Sequence, residues 1–196
     1  MLTASVLIPT SNQHLVVVET LNSLSTQSVP PERFEVVVAV DGSTDSALHY
    51  LAEMCTAYPL RILHSQDPHP AAARELAAGQ ARNDVLIFLD DDQRASAGLI
   101  GAHLAAHETR GTVLVQGSHP PLKGNWSLLA ETWRRLGGVA AARFRHRRGD
   151  DTSLTLGLAA LKIPLVFESR ALSFRLDASV RPGSLVSRKS RIVSPP

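Results

Sequence analysis

Three carboxylates, Asp90-Asp91-Asp92, stand directly after the apolar run Val85-Leu86-Ile87-Phe88-Leu89. Adjacent anions repel one another and are best tolerated where a cation sits among them. Carboxylate oxygens are the hard ligands that Mg2+ and Mn2+ take, so the cluster points to a divalent-metal site at the end of a buried strand. A surface turn is the alternative, and the buried run before the acids weighs against it. A second metal candidate, His103 with His107, has the four-residue spacing of helical ligands but lacks the Glu that follows the first His in metalloprotease helices. That pair reads as structural.

The rest of the chain must hold the acidic cluster in place. Residues 5–9 form a short apolar run stopped by Pro9, and residues 34–41 a longer one rich in valine that ends at Asp41. Both read as buried strands, continuous rather than alternating, as in a parallel sheet. Residues 60–63, 84–90 and 112–116 give three more strands. Between them lie helical patterns: Leu15, Val18 and Leu21 (or Val17, Leu21 and Leu24), then Leu48, Leu51, Ala52 and Cys55, then the alanine-rich stretch 70–81, then 96–107 with Ser96 as its cap. On this pattern Cys55 is a core residue. Strands and helices alternating at short spacing predict an α/β fold, a doubly wound and mostly parallel sheet. Ligands of such sheets bind beyond the carboxyl ends of the strands, where Pro9-Thr10, Asp41 and Asp90 would meet.

Beyond residue 117 the pattern loosens. Residues 127–136 read as a helix broken by Gly137-Gly138, 151–161 as another helix, and 165–167 and 171–174 as short strands. From Arg175 the chain is rich in Ser, Pro and Arg and reads as loose. The 196 residues amount to one domain, with a 44% hydrophobic content sufficient for a core. One cysteine excludes an internal disulfide. No apolar run reaches membrane-spanning length, and the first residues lack the basic region of a secretory signal, so a cytoplasmic location is expected. Charge is uneven: residues 1–121 carry 6 Lys/Arg against 13 Asp/Glu, and residues 122–196 carry 14 against 5. The basic part either meets an anionic partner or attracts the acidic part.

The motifs, taken in order, resemble those of family 2 glycosyltransferases, inverting enzymes with the GT-A fold. The resemblance rests on Val6-Leu7-Ile8-Pro9-Thr10-Ser11-Asn12, Val40-Asp41-Gly42-Ser43-Thr44-Asp45, Ala72-Ala73-Arg74 and Phe88-Leu89-Asp90-Asp91-Asp92. It continues in Val115-Gln116-Gly117, Gly124-Asn125, Gly137-Gly138 and Gly149-Asp150-Asp151-Thr152. It implies a metal-dependent transfer of a sugar from a nucleotide-diphospho-sugar to an acceptor hydroxyl. By the same resemblance Asp92 ligates Mn2+ or Mg2+, and Asp90 and Asp91 lie near the ribose and the metal. Pro9, Thr10, Asp41 and Arg74 line the nucleotide pocket, and Asp151 is the general base. Residues 1–117 would form the donor half, 118–175 the acceptor half, and 176–196 a basic tail.

The chain also departs from the family pattern. Ser11 replaces an aromatic residue, Asp150 replaces the Glu of the Glu-Asp pair, Val139-Ala140-Ala141 replaces an aromatic-acidic segment, and Arg175 stands where a metal-binding His is common. The segment between Gly117 and Gly124 is short. The donor half is therefore complete in pattern and the acceptor half reduced. A non-catalytic nucleotide-sugar-binding protein of the same fold is the alternative. A sugar-1-phosphate nucleotidyltransferase is disfavoured, because residues 9–14 hold neither Gly nor Arg. The basic cluster Arg143, Arg145, Arg147 and Arg148 contains one aromatic residue, Phe144, too few for base stacking. No nucleic acid is expected. Anionic lipid at a membrane periphery, or a phosphate-bearing or lipid-linked acceptor, suits the cluster better.

Overall fold

In the computed structural model, residues 1–10, 14–41, 51–65, 67, 70–118, 124–137 and 157–176 are described, the side chains of 14, 15, 41 and 70 excepted. The strands are β1 (Ala4–Thr10), β2 (Phe34–Asp41), β3 (Leu60–Ser65), β4 (Val85–Leu89), β5 (Gln93–Ala95), β6 (Leu114–Gln116), β7 (Asn125–Leu129), β8 (Leu165–Phe167) and β9 (Ser173–Arg175). The helices are α1 (His14–Leu24), α2 (Pro70–Gln80), α3 (Leu99–Arg110) and α4 (Ala130–Leu136). Among the described residues seven strands make one sheet in the order β3-β2-β1-β4-β7-β6-β8. All neighbours in it are parallel except that β7 runs against both β4 and β6. Strands β5 and β9 form a separate antiparallel ribbon.

Each central strand is apolar on both faces because helices cover both sides. Val6, Ile8, Val36, Val38, Ile87 and Leu89 face one core with Val17, Leu21 and Leu24 of α1 and Leu99, Ile100 and Leu104 of α3. Leu7, Val37, Leu86 and Phe88 face the other, with Ala73 and Ala77 of α2 and Trp133 of α4. Small alanines let α2 approach the sheet closely. Phe88 lies opposite Trp126 in the β4–β7 register, and the two rings stack at 3.9 Å between centroids.

Parallel pairing puts the ends of β1, β2 and β3 on one edge, the Thr10↔Val40 and Asp41↔Ser65 pairings fixing the alignment. The residues after β4 join them there. So does the start of β7, because β7 runs the other way: Asn125 pairs with Leu89. The end of β6 follows, with Gln116 paired to Trp126.

Four expectations need correction. Residues 127–129, expected to start a helix, instead belong to the strand Asn125–Leu129, and the helix begins only at Ala130. A short apolar stretch satisfies either period, and here its pairing to β4 and β6 decides. Helix α3 begins at Leu99 with Gly98 as its cap and no capping side chain; Ser96 instead accepts a backbone bond from Leu99 N at 3.1 Å. Cys55 is exposed, because the helical turn at residues 51–52 ends before the i, i+7 position comes around. Leu51 of the same pattern is buried. Residues 173–175 form an ordered strand, so regular structure extends to Arg175, further than the loose tail assigned to it.

Candidate active site

The turn after β4 directs three adjacent carboxylates to three different partners. Thr10 Oγ1, at the end of β1, donates to Asp91 Oδ2 at 2.6 Å. Thr20 Oγ1, on the buried side of α1, donates to Asp91 O at 2.6 Å. Arg74 of α2 lies 3.8 Å from Asp90 Oδ1. Arg175 Nε, on β9, donates to Asp92 Oδ2 at 2.7 Å. One cationic or hydroxyl group per carboxylate relieves the repulsion that three neighbouring anions would otherwise suffer. Asp91 is partly enclosed: burial pushes its carboxyl up to about 6, against the Thr10 hydroxyl, which lowers it, and the charges of Asp92 and Asp90 add to the rise.

Gly124 explains how the cluster fits beneath β7. Its φ is +63°, and a Cβ there would run into the Asp90 carboxylate and lie 2.8 Å from Asp90 Cβ. Gly124 O also accepts from Asp90 N at 3.1 Å. Gly117 has a similar role on the other side: a Cβ would come within 2.5 Å of Asn125 Nδ2 and 2.6 Å of Ala171 O. These glycines are required by close approach, not by flexibility.

A buried polar network supports this edge from within. His103 Nδ1 and His107 Nε2 both meet Ser127 Oγ, at 2.8 and 2.9 Å, and His103 Nε2 meets Asn125 Oδ1 at 2.8 Å. Asn125 Nδ2 in turn donates to Ala171 O at 2.8 Å and to Ser173 Oγ at 3.0 Å. The network thus joins α3 and β7 to β9, the strand that carries Arg175. Burial lowers the His103 pKa to about 4 and lowers that of His107, so both rings are neutral at pH 7. The two histidines are spent on this network, as expected for a structural pair.

No three His, Cys, Asp or Glu side chains converge on a point among the described residues. A cation in a diphosphate site needs fewer, because Mg2+-like ions take one or two carboxylates and fill their coordination with phosphate oxygens. Asp92 suits that role. Its Oδ1 accepts from the side-chain amide of Gln93 at 3.3 Å, and among the described residues the buried Gln93 Oε1 has no hydrogen-bond partner. Among the described residues this turn therefore offers the Asp92 carboxylate beside a side-chain amide whose oxygen has no partner.

Of the residues singled out by sequence, Thr10, Arg74, Asp90, Asp91 and Asp92 come together, and Pro9 precedes them on β1. The backbone of Asp41 ends β2 on the same edge, while its side chain lies outside the described residues. So do Asp45, Asp150, Asp151, the Arg143–Arg148 cluster and the tail from 177. Thr20, Ser127 and Ser173 were not legible as site residues. Thr20 carries the one usable signal, a hydroxyl on the apolar face of α1 beside Leu21 and Leu24. No helix among the described residues is long and apolar enough to cross a membrane.

Comparison with known proteins agrees with the geometry. Over 115 residues the chain is 36% identical to the uncharacterized glycosyltransferase YfnE of Bacillus subtilis, covering 58% of this chain and 29% of that one. It is 35% identical over 94 residues to the poly(ribitol-phosphate) beta-N-acetylglucosaminyltransferase TarS of Staphylococcus aureus, covering 47% and 16%. The chain thus spans less than a third of the length of these curated relatives. Two solved structures share the fold. TarS 1-349 gives a TM-score of 0.70 at 18% identity, over 89% of this chain and 60% of that one. The mannosyltransferase PcManGT of Pyrobaculum calidifontis, in complex with GDP-Man and Mn2+, gives 0.72 at 20%, over 88% and 56%. The fold is that of the GT-A glycosyltransferases. The model of the family described as "Glycosyl transferase family 2" matches residues 5–165, and the chain belongs to that family.

Proposed function

We propose that the chain is a metal-dependent inverting glycosyltransferase that moves a sugar from a nucleotide-diphospho-sugar to an acceptor hydroxyl. The observation that carries this reading is the convergence of Thr10, Arg74 and Asp90–Asp92 at the carboxyl edge of a parallel sheet, in a chain of this family. In this reading Asp92 holds Mn2+ or Mg2+, which would stabilise the charge of the departing diphosphate. Asp90 and Asp91 face the ribose and the metal, with Asp91 fixed by Thr10. Pro9, Thr10, Asp41 and Arg74 line the base and phosphate pocket. Asp151 removes the proton of the acceptor hydroxyl. The acceptor oxygen then attacks the anomeric carbon, and the bond from that carbon to the diphosphate oxygen breaks on the opposite face. The complex of PcManGT with GDP-Man and Mn2+ supports a nucleotide-sugar and a divalent cation as ligands of this fold.

Residues 1–117 serve the donor and 118–175 the acceptor in this reading. The 14 Lys/Arg of residues 122–196 favour a phosphate-bearing or lipid-linked acceptor at a membrane periphery within the cytoplasm. TarS, named for a poly(ribitol-phosphate) acceptor, supports phosphate on the acceptor side. A second reading, a non-catalytic nucleotide-sugar-binding protein, is favoured by the Val139-Ala140-Ala141 segment and the short acceptor half. Calorimetric titration of UDP and GDP with and without Mn2+, followed by turnover assays over a donor panel, separates the two. Binding with turnover, lost in Asp151→Asn while binding persists, supports the enzyme. Binding without turnover for any donor sinks it. Flotation with anionic liposomes tests the membrane contact, and a lack of salt-sensitive binding removes it.

A further inference from the structure

The cation that faces Asp92 in this fold is part of the chain. Register places Arg175 opposite Gln93 on the β5–β9 ribbon, one residue beyond Asp92. Leu176 N donates to Asp92 O at 2.7 Å, so backbone as well as side chain holds the two segments together. Strand β9 is itself anchored: Ser173 N donates to Ser118 Oγ at 2.8 Å, and Ser173 Oγ accepts from Asn125 in the buried network. Arg175 is therefore delivered to Asp92 by a fixed strand. Ion pairs between exposed side chains are worth little, but here the carboxylate is 18% exposed and the guanidinium 74% exposed. The pair has a partly buried anion and an exposed cation that can leave into solvent. Among the described residues only Nε of Arg175 is engaged.

We propose that Arg175 is a displaceable internal cation of the donor site: it neutralises Asp92 in the metal-free protein, competes with a divalent cation for Oδ2, and once displaced binds the diphosphate of the nucleotide-sugar. This rests on the donor reading of the acidic cluster. A divalent ion and a guanidinium cannot both bond Oδ2 at contact distance without strong repulsion. The guanidinium fork matches phosphate oxygens. Displacement by the metal thus leaves it beside the place where a metal-bound diphosphate must sit. A His in that position would add a metal ligand; an Arg makes metal entry conditional and adds a phosphate contact.

The test uses the whole chain and Mn2+ alone, free Mn2+ being read by its electron paramagnetic resonance signal. Arg175→Gln should bind Mn2+ about tenfold more tightly than the unaltered chain, and Arg175→Lys should stay near it. Adding Asp92→Asn to Arg175→Gln should abolish the gain. With saturating Mn2+, Arg175→Gln should bind UDP or GDP about tenfold more weakly. Equal Mn2+ affinity in Arg175→Gln and the unaltered chain, or a gain that survives Asp92→Asn, overturns the proposal. If nucleotide binding still requires Asp92 in that case, the donor reading stands and this inference alone falls. If the unaltered chain shows no Mn2+-dependent binding of UDP or GDP, both fall.

Discussion

The Thr10 hydroxyl donates to Asp91 Oδ2 across 2.6 Å, while Thr20 donates to the carbonyl of the same aspartate. The middle acid of the cluster is therefore held from β1 and from α1 at once. Two consecutive elements, 71 to 81 residues away from it in sequence, fix the turn from which Asp90 and Asp92 project, and Asp91 acts as its hinge pin.

That position has a cost, which gives a first prediction. Burial raises the Asp91 pKa to about 6, so the folded state binds more protons than the unfolded one between roughly pH 4 and 6. The contribution of this group is present at low pH and lost as pH rises through about 6, and at pH 7.5 the buried charge opposes folding. Asp91→Asn removes the charge and keeps an acceptor for Thr10. Urea unfolding at pH 7.5 should show the variant more stable, by on the order of 1–3 kcal/mol, with weaker Mn2+-dependent nucleotide binding. A less stable Asp91→Asn would show that the carboxylate is stabilised by its surroundings instead.

Gly124 gives a second prediction. Alanine there is strained twice, by a φ of +63° and by collision with the Asp90 side chain. The backbone term costs about 1–2 kcal/mol, and moving Asp90 adds to it. Gly124→Ala should fold with a lower Tm and lose most nucleotide binding. Gly79→Ala, on an open face of α2 with nothing within 4 Å, should leave binding intact and not lower Tm. Full nucleotide affinity in Gly124→Ala would remove Asp90 from the donor site.

The His103 ring gives a third. Its pKa falls from 6.5 to about 4 on folding. The unfolded state then binds more protons between about pH 4 and 6.5, so stability is present above that window and is lost as pH falls through it. A shift of this size is worth on the order of 3 kcal/mol. Chemical denaturation from pH 7 to pH 4.5 should show this loss, and His103→Gln, which cannot be protonated there, should flatten the profile. An equally steep profile in His103→Gln would assign the acid sensitivity elsewhere.

The parallel strands were legible because burial on both faces demands continuous apolar runs, as in Val36 to Val40 and Val85 to Leu89. The acidic cluster was legible because three carboxylates after such a run have few structural excuses. Strand β7 was not, since its five residues carry no period that separates strand from helix, and only pairing to β4 and β6 settles it. Cys55 misled because a helical pattern in sequence continues past the place where the helix stops. The His103, His107, Ser127 and Asn125 network is invisible in sequence: its hydrogen bonds join residues 20 to 24 apart, with no local spacing to mark them.

The central claim is that Asp92 at the end of β4 holds a divalent cation for a nucleoside diphosphate. Anomalous scattering from crystals soaked with Mn2+ and UDP or GDP tests it most directly. The account predicts a manganese peak at hard-ligand distance, about 2.0–2.6 Å, from an Asp92 carboxylate oxygen, bridged to the diphosphate. A bound nucleotide with no manganese at Asp92, or with its diphosphate away from the β4 turn, would contradict it.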